Sequence, residues 1–206
     1  TFSEEDRELH LYLDFKRGGR FSCPECGREE LAAYDTEQKQ WRHLDFFQHK
    51  AFLHARVPRV ECPEHGVRQV QVPWARPGSG FTLLFEALIL TLAGDLPVKA
   101  LARLLNEHDT RIWRVLQHYI DDARARDSHE DVTRVGIDET ARKRGHKYVT
   151  LFVDLNRSRV IFATAGKDQG TLSAFTNDFT AHGGDPDAVT DVCCDMSPAF
   201  IAGVEN

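Results

Sequence analysis

The chain has 206 residues, room for one ordinary domain or for two to three small modules. Hydrophobic residues make up 41% and aromatic residues 10%, which excludes a chain that is disordered throughout. The longest apolar run, residues 81–93, contains Glu86 and is shorter than the roughly 20 residues of a membrane helix, so we expect no membrane partner. The net charge of −6 argues at first against a nucleic-acid partner.

Residues 1–76 form the first predicted module, which is mainly extended. Apolar and polar side chains alternate in residues 1–20, and this pattern predicts a strand. Shorter β-like stretches are expected at residues 41–47 and 52–60.

Two turns in this module have the spacing of zinc ligands. Cys23 and Cys26 lie in CPECG, and Cys62 and His65 lie in CPEHG, so each turn offers two ligands followed by a glycine. Zinc takes four such ligands in a tetrahedron, and glycine permits the positive φ that follows the turn. We therefore predict one structural Cys3His zinc site, which folds the module and leaves no open position for catalysis. Three other histidines are alternatives to His65: His43, His49 and His54.

Residues 77–128 form the second predicted module, which is helical and follows a linker rich in proline and glycine. Apolar residues recur there at the three-and-four spacing of a buried helix face. Three helices are expected. The first is capped by Thr82 and ends near Gly94, the second begins at Pro97 and ends at Leu105, and the third is capped by Asp109 or Thr110.

The third of these helices has the pattern of a recognition helix. Its polar side chains lie opposite the apolar positions Ile112 and Leu116, and such helices place side chains in the major groove of DNA. Residues 38–76 carry 7 basic and 3 acidic side chains, so a basic segment is available for phosphate contacts despite the net charge. The predicted DNA contacts are Lys99, Arg111, Arg114 and Gln117.

Residues 129–206 form the third predicted module, in which the period of the pattern changes from 3.6 to 2. The expected elements are strands at 134–138, 148–155 and 160–165, a helix at 171–182, a buried strand at 189–194 and a further helix from Pro198.

Two aspartates end strands of this third module. Asp138 ends the first strand and Asp195 the last, and two carboxylates on neighbouring strands bind a divalent metal of the kind used in phosphodiester chemistry. Strand-end aspartates also cap turns, and Asp191 has the same strand parity as Asp195. From the residues alone, both readings stay open.

The whole chain resembles bacterial insertion-sequence transposases of the ISL-three family. The matching stretches are CPECG at 23–27, WRHLD at 41–45, ARVPRVECPEHG at 55–66, VPWARPGSGFT at 72–82, GIDET at 136–140, GHKYVTLFVDL at 145–155 and DMSPAFI at 195–201. The resemblance implies a multi-domain α/β protein with a zinc-ribbon-like module, a helix-turn-helix and the first part of an RNase H-like catalytic domain.

The resemblance also implies a metal-dependent activity. Asp138 and Asp195 would be the first two acids of a DDE triad that holds magnesium or manganese and cleaves and transfers DNA strands. The first two modules would bind the terminal inverted repeats in double-stranded DNA. The resemblance also implies that target DNA is a partner and that the protein acts on DNA as a homo-oligomer. The family's third acid, a glutamate, has no counterpart here, because Glu205 lies only ten residues past Asp195. We therefore expect an inactive fragment.

Two other functions are compatible with these features. One is a non-catalytic DNA-binding regulator derived from a decayed transposase, and the other is an RNase H-like nuclease acting on RNA. The five cysteines, an odd number, do not form the framework of a secreted protein, so we expect a cytoplasmic protein that associates with the nucleoid when bound to DNA.

Overall fold

The computed structural model describes residues 1–143, 147–166 and 169–194. The chain divides into two compact units, Thr1–Ile120 and Asp121–Asn206. Asp195, Glu205 and the helix expected from Pro198 lie outside the described residues.

The first unit contains a six-stranded sheet. Its strands are β1 (Phe2–Ser3), β2 (Glu8–Leu13), β3 (Arg20–Phe21), β4 (Leu31–Phe46), β5 (His49–Cys62) and β6 (Gly66–Gln69). The order is β1-β2-β5-β4-β3, with β6 on β5, and only the β2–β5 pair is parallel.

The hairpin of β4 and β5 is much longer than the short stretches expected at 41–47 and 52–60. Its strands have 16 and 14 residues. Leu53, Ala55 and Val57 alternate onto the buried face of β5, where they pack with Trp41. No strand was predicted for residues 31–40, but pairing with β3 and β5 makes them part of β4, because long-range partners override local β preference.

Three helices follow in the first unit: α1 (Leu83–Ala93), α2 (Val98–Leu105) and α3 (Asp109–Arg124), which continues into the second. Thr82 caps α1 by accepting a hydrogen bond from the Phe85 N–H, which confirms its predicted role. The prediction for the cap of α3 was wrong. Asp109 is already helical, and His108 Nδ1 accepts from the Thr110 N–H at 3.3 Å.

The second unit contains a four-stranded sheet with order β10-β7-β8-β9. Its elements are β7 (Arg134–Lys143), β8 (Lys147–Asp154), β9 (Arg159–Ala165), α4 (Gln169–Ala181), a 3₁₀ helix (Pro186–Ala188) and β10 (Asp191–Cys194). Strands β7, β8 and β9 form an antiparallel meander, whereas β10 runs parallel to β7.

The core of this second unit lies between α4 and the sheet. Phe152 and Phe175 stack there with ring centroids 4.1 Å apart. The prediction that the last strand is buried was wrong, because β10 is largely exposed, with Val192 at 39%. In the described residues β10 pairs with β7 on one side only.

Candidate metal centres and nucleic-acid interface

The two cysteine-containing turns of the first unit meet at one point. The ligand atoms of Cys23, Cys26, Cys62 and His65 all lie within 4.8 Å of one another. Gly27 has φ +71° and Gly66 has φ +67°, which confirms the reason for a glycine after each pair. The turns come together because β4 and β5 are paired along their length and β6 folds back on β5.

The distances between these atoms fit a tetrahedral zinc ion. Zn–S bonds of about 2.3 Å and Zn–N bonds of about 2.0–2.1 Å imply S···S near 3.8 Å and S···N near 3.6 Å. The observed values are 3.7 Å for Cys26 Sγ to Cys62 Sγ, 3.6 Å for Cys62 Sγ to His65 Nδ1 and 3.9 Å for Cys23 Sγ to His65 Nδ1. Disulfide sulfurs lie only about 2.05 Å apart, so Cys26 and Cys62 are not bonded.

Local hydrogen bonds favour the thiolate that zinc requires. Burial opposes ionisation of Cys62, but the backbone N–H of Glu64 and both the side chain and the backbone N–H of His65 outweigh it and lower the pKa of the thiol to about 6. Because zinc binds the thiolate form of cysteine, the lowered pKa of Cys62 favours the charge state that zinc binding requires.

The three alternative histidines have partners elsewhere. His43 Nδ1 is 2.9 Å from Thr82 Oγ1, and His54 Nε2 is 2.8 Å from His10 Nδ1. His49 Nε2 is 3.2 Å from Gln48. Of the histidines in the described part of the chain, His65 is the one that the structure brings to the three cysteines.

The predicted DNA contacts differ in their surroundings. Lys99, Arg114 and Gln117 are exposed on α2 and α3, opposite the buried Ile112. Arg111 instead forms an ion pair with Glu107, and its guanidinium carbon lies 4.1 Å from the centroid of the Phe81 ring. The Arg111 side chain therefore also holds the turn before α3 in place.

A buried arginine on strand β4, Arg42, also contacts Glu107. Arg42 is 1% exposed, its Nε lies 3.5 Å from Glu107 Oε1, and its guanidinium packs on Phe85. Its backbone N–H donates to Gly80 O, and its carbonyl accepts from Thr82. Arg42 therefore joins the sheet to the start of α1, a role that the WRHLD motif alone did not reveal.

A second buried charge, Glu86, lies in the first turn of α1 and is 0% exposed. Arg76 Nε lies 2.9 Å from Oε1 and 3.0 Å from Oε2. Ser79 Oγ donates to Oε1 at 2.6 Å, and the Tyr119 hydroxyl donates to Oε2 at 2.9 Å. This Glu86 cluster ties the linker, α1 and α3 together.

The acidic residues of the second unit occupy distinct positions. Asp138 is exposed on β7, one residue past Ile137, which pairs with Cys194 on β10. Asp191 is at the far end of β10, opposite Arg134, four register positions and so about 13 Å from the level of Asp138. Asp154 is buried and caps the turn after β8 by accepting from the backbone N–H groups of Asn156 and Arg157.

Comparison with known proteins identifies these parts. Residues 19–65 match the zinc-finger of transposase IS204/IS1001/IS1096/IS1165, and residues 70–120 match the helix-turn-helix domain of transposase family ISL3. Residues 135–206 match a domain of the same family described as transposase. The chain belongs to the ISL3 transposase family. The Cys3His cluster inside the zinc-finger match indicates structural zinc, and the transposase domain implies a divalent metal.

Curated relatives support this membership. A transposase for insertion sequence element IS1557 from Mycobacterium tuberculosis is 37% identical over 161 residues, which are 74% of this chain and 35% of the relative. A transposase for IS1001 from Bordetella parapertussis is 24% identical over 200 residues, which are 94% of this chain and 47% of the relative. The chain thus spans about a third to a half of the length of these ISL3-type relatives.

Two further observations complete the comparison. Among the described residues, no helix of this ISL3 family member is long and apolar enough to cross a bilayer. Among the described residues, Arg42, Glu86 and Asp154 are buried charges that sequence reasoning missed, and the side chain of Glu107 is only 7% exposed. Their signal would have been the charged residues inside otherwise apolar segments, most clearly Glu86 within the run 81–93.

Proposed function

We propose that the protein to which this chain belongs is a DNA transposase that binds the terminal inverted repeats of its insertion sequence and cleaves and transfers the DNA strands. The observation that carries the proposal is the position of Asp138 beside the parallel strand β10, in a unit that matches a transposase domain and follows a zinc centre and a helix-turn-helix.

We propose Asp138 and Asp195 as two of the catalytic acids. Ile137 and Cys194 are paired in the parallel register, and Asp138 and Asp195 are the residues directly after them in the sequence. Asp191 lies opposite Arg134, with which it forms an ion pair, and this position argues against it. The exposed carboxylate of Asp138 suits a hard cation, and magnesium or manganese would supply stabilisation of charge on the phosphodiester oxygens.

DNA recognition is assigned to the first unit. Arg114 and Gln117 would read base edges from α3, and Lys99 on α2 would contact phosphate, because their side chains are exposed on the face opposite the core. Arg111 would combine phosphate contact with its structural contact to Glu107. Cys23, Cys26, Cys62 and His65 would hold one zinc ion that folds the ribbon.

The remaining assignments concern organisation. We propose that the functional boundaries lie near residues 76 and 128, close to the limits of the three family matches. We also propose that the protein acts as a homo-oligomer on double-stranded DNA, which includes the target, and that it works in the cytoplasm at the nucleoid.

The test is strand cleavage on a labelled duplex that carries the terminal repeat. Full-length protein should nick at the repeat end when magnesium or manganese is present, and Asp138→Asn or Asp195→Asn should abolish the nick. Asp131→Asn is the matched control, since Asp131 is an exposed carboxylate of the same unit paired with Arg157. Cleavage that persists in both catalytic variants would overturn the assignment, and binding without cleavage by full-length protein would favour a DNA-binding regulator.

The 206 residues alone give a second readout. We expect them to bind the repeat without nicking it, because two-metal chemistry needs a third acid and the family places that glutamate further along the protein. Metal-dependent nicking by these residues would show that an acid within them completes the site. Glu139, next to Asp138, would then be the first candidate.

A further inference from the structure

A second group of metal-ligating side chains lies in the second unit, at a different position from Asp138 and the Cys3His cluster. Its members are His129, Asp178 and His182, and one ligand atom of each lies within 4.8 Å of the others. Asp178 is on α4, His182 follows its last residue, and His129 lies just before β7. The family matches give these side chains no role, and the proposed function does not use them.

His129 is buried without the hydrogen bonds that a buried imidazole usually forms. It is 0% exposed, and within the described part of the chain neither Nδ1 nor Nε2 has a hydrogen-bond partner. Its ring stacks on Phe179 with centroids 5.5 Å apart, so packing fixes the orientation. Buried polar atoms are nearly always paired, and each unpaired one costs about 1–3 kcal/mol, so two on one side chain call for an explanation.

The other two side chains each have one atom occupied and one available. His182 Nδ1 donates to the backbone carbonyl of Asp178 at 2.8 Å, which leaves the lone pair of Nε2 for a ligand. Asp178 Oδ1 accepts from Arg124 at 2.6 Å, whereas its buried Oδ2 has no hydrogen-bond partner among the described residues and lies 3.5 Å from His182 Nδ1. Such outer contacts orient the first ligands of metal sites.

The backbone already holds the three ligands close together. Asp178 and His182 are four residues apart, the spacing that places two ligands on one face of a helix. The His129 N–H donates to the His182 carbonyl at 2.9 Å, so the segment before β7 is attached to the end of α4. Tetrahedral zinc with nitrogen and oxygen ligands needs them about 3.4 Å apart, so small side-chain rotations suffice.

The charges around the cluster are compatible with a dication. Arg124 adds one positive charge at Asp178, and Arg159 pairs with Asp127. Against these stand the carboxylates of Asp178 and Asp127, the latter with Oδ2 3.5 Å from His129 Nε2.

We propose that His129, Asp178 and His182 bind a divalent metal ion of the borderline class, zinc above all, as a second metal centre of this protein. Two imidazoles and one carboxylate are ligands that zinc prefers, and a water would fill the fourth position. The ion would attach the end of α4 to the segment that leads into β7, the strand that carries Asp138.

The test is metal stoichiometry of the 206-residue chain. After exposure to excess zinc and removal of the unbound ion, elemental analysis should find about two zinc ions per chain. His182→Ala and Asp178→Asn should each lower the count to about one. His118→Ala, at an exposed histidine outside both clusters, should leave it unchanged. Only about one ion in the unaltered chain, or about two in His182→Ala, would overturn the proposal.

Cobalt substitution separates the two centres without a variant of the second unit. The Cys3His site should give intense thiolate-to-cobalt absorption, whereas the sulfur-free site should give only weak visible bands. Titration of the metal-free chain with cobalt should therefore continue to about two equivalents while the thiolate absorption stops growing at about one. If His182→Ala does not fold, this titration of the unaltered chain still decides, and saturation of all bands at about one equivalent refutes the second site.

Discussion

The Glu86 cluster allows a quantitative test of how the helix-turn-helix is held together. Glu86 is fully buried, and Arg76 supplies the positive charge that balances it, with Nε 2.9 Å from the carboxylate. In Arg76→Ala, Ser79 and Tyr119 still donate hydrogen bonds, but the charge is left without its partner. Breaking a buried pair in this way costs about 3–5 kcal/mol, a large share of the 5–15 kcal/mol that stabilises a typical domain.

Two further variants separate the contribution of the Tyr119 hydrogen bond from that of the buried charge on Glu86. Tyr119→Phe deletes one hydrogen bond to the charged group, and we expect a loss of about 1.5–3 kcal/mol. Glu86→Gln removes the buried charge, so Arg76→Ala should cost less in its presence. The double variant should be more stable than the sum of the single effects predicts, by about 1–3 kcal/mol.

Urea unfolding followed by tryptophan fluorescence measures these effects in the first unit alone. All three tryptophans, at positions 41, 74 and 113, lie within residues 1–120. Arg56→Ala is the control, because Arg56 pairs with Asp14 at the surface, with side chains 51% and 49% exposed, and such pairs contribute only about 0–1 kcal/mol. A cost below about 1 kcal/mol for Arg76→Ala, or strictly additive single and double variants, would refute the reasoning.

Three other predictions concern the zinc, DNA and pH responses. Cys26→Ser should lower the zinc content by about one ion per chain and unfold the ribbon, seen by elemental analysis and circular dichroism, whereas Cys193→Ser, at an exposed cysteine, should change neither. Lys99→Ala should weaken binding to the repeat and lower the slope of log K against log salt by about 1; an unchanged slope would remove Lys99 from the phosphate contacts. Burial and the neighbouring His10 hold the pKa of His54 below 6.5, so the unfolded chain takes up the proton before the folded chain does. The free energy of unfolding should therefore fall as the pH drops from 7 through 6.5. In urea titrations at several pH values, His54→Gln should make this pH dependence weaker.

Local chemistry explains which parts of the fold were predictable. The cap at Thr82, the second helix over 98–105 and the positive φ of Gly27 depend on neighbours in the sequence, and the structure confirms them. Asn106 adopts the left-handed conformation at the end of α2, a position where asparagine is one of the favoured residues. Ligands three residues apart likewise indicated two half-sites, although only pairing of the strands brings those halves together.

Contacts between distant residues were not predictable in the same way. The length of β4 depends on its register with β5, and no local pattern in residues 31–40 gives that register. The approach of His129 to His182 depends on the packing of α4, across about 50 residues of sequence. Asp138 was selected from its strand, but its neighbour β10 is known only from the sheet order.

The parallel pairing of β7 with β10 also sets the order of events during synthesis. The β7–β8–β9 meander can form once residue 165 has left the ribosome, because its contacts are local. Strand β10 begins roughly 25 residues later, which at about 5–20 residues per second is a delay of roughly 1–5 s. During that interval the nascent chain displays an unpaired β7 edge, the kind of surface that recruits other strands or chaperones. Within the described sheet, β7 is therefore the strand that waits longest for its second neighbour, and its open edge is exposed to mispairing during that interval.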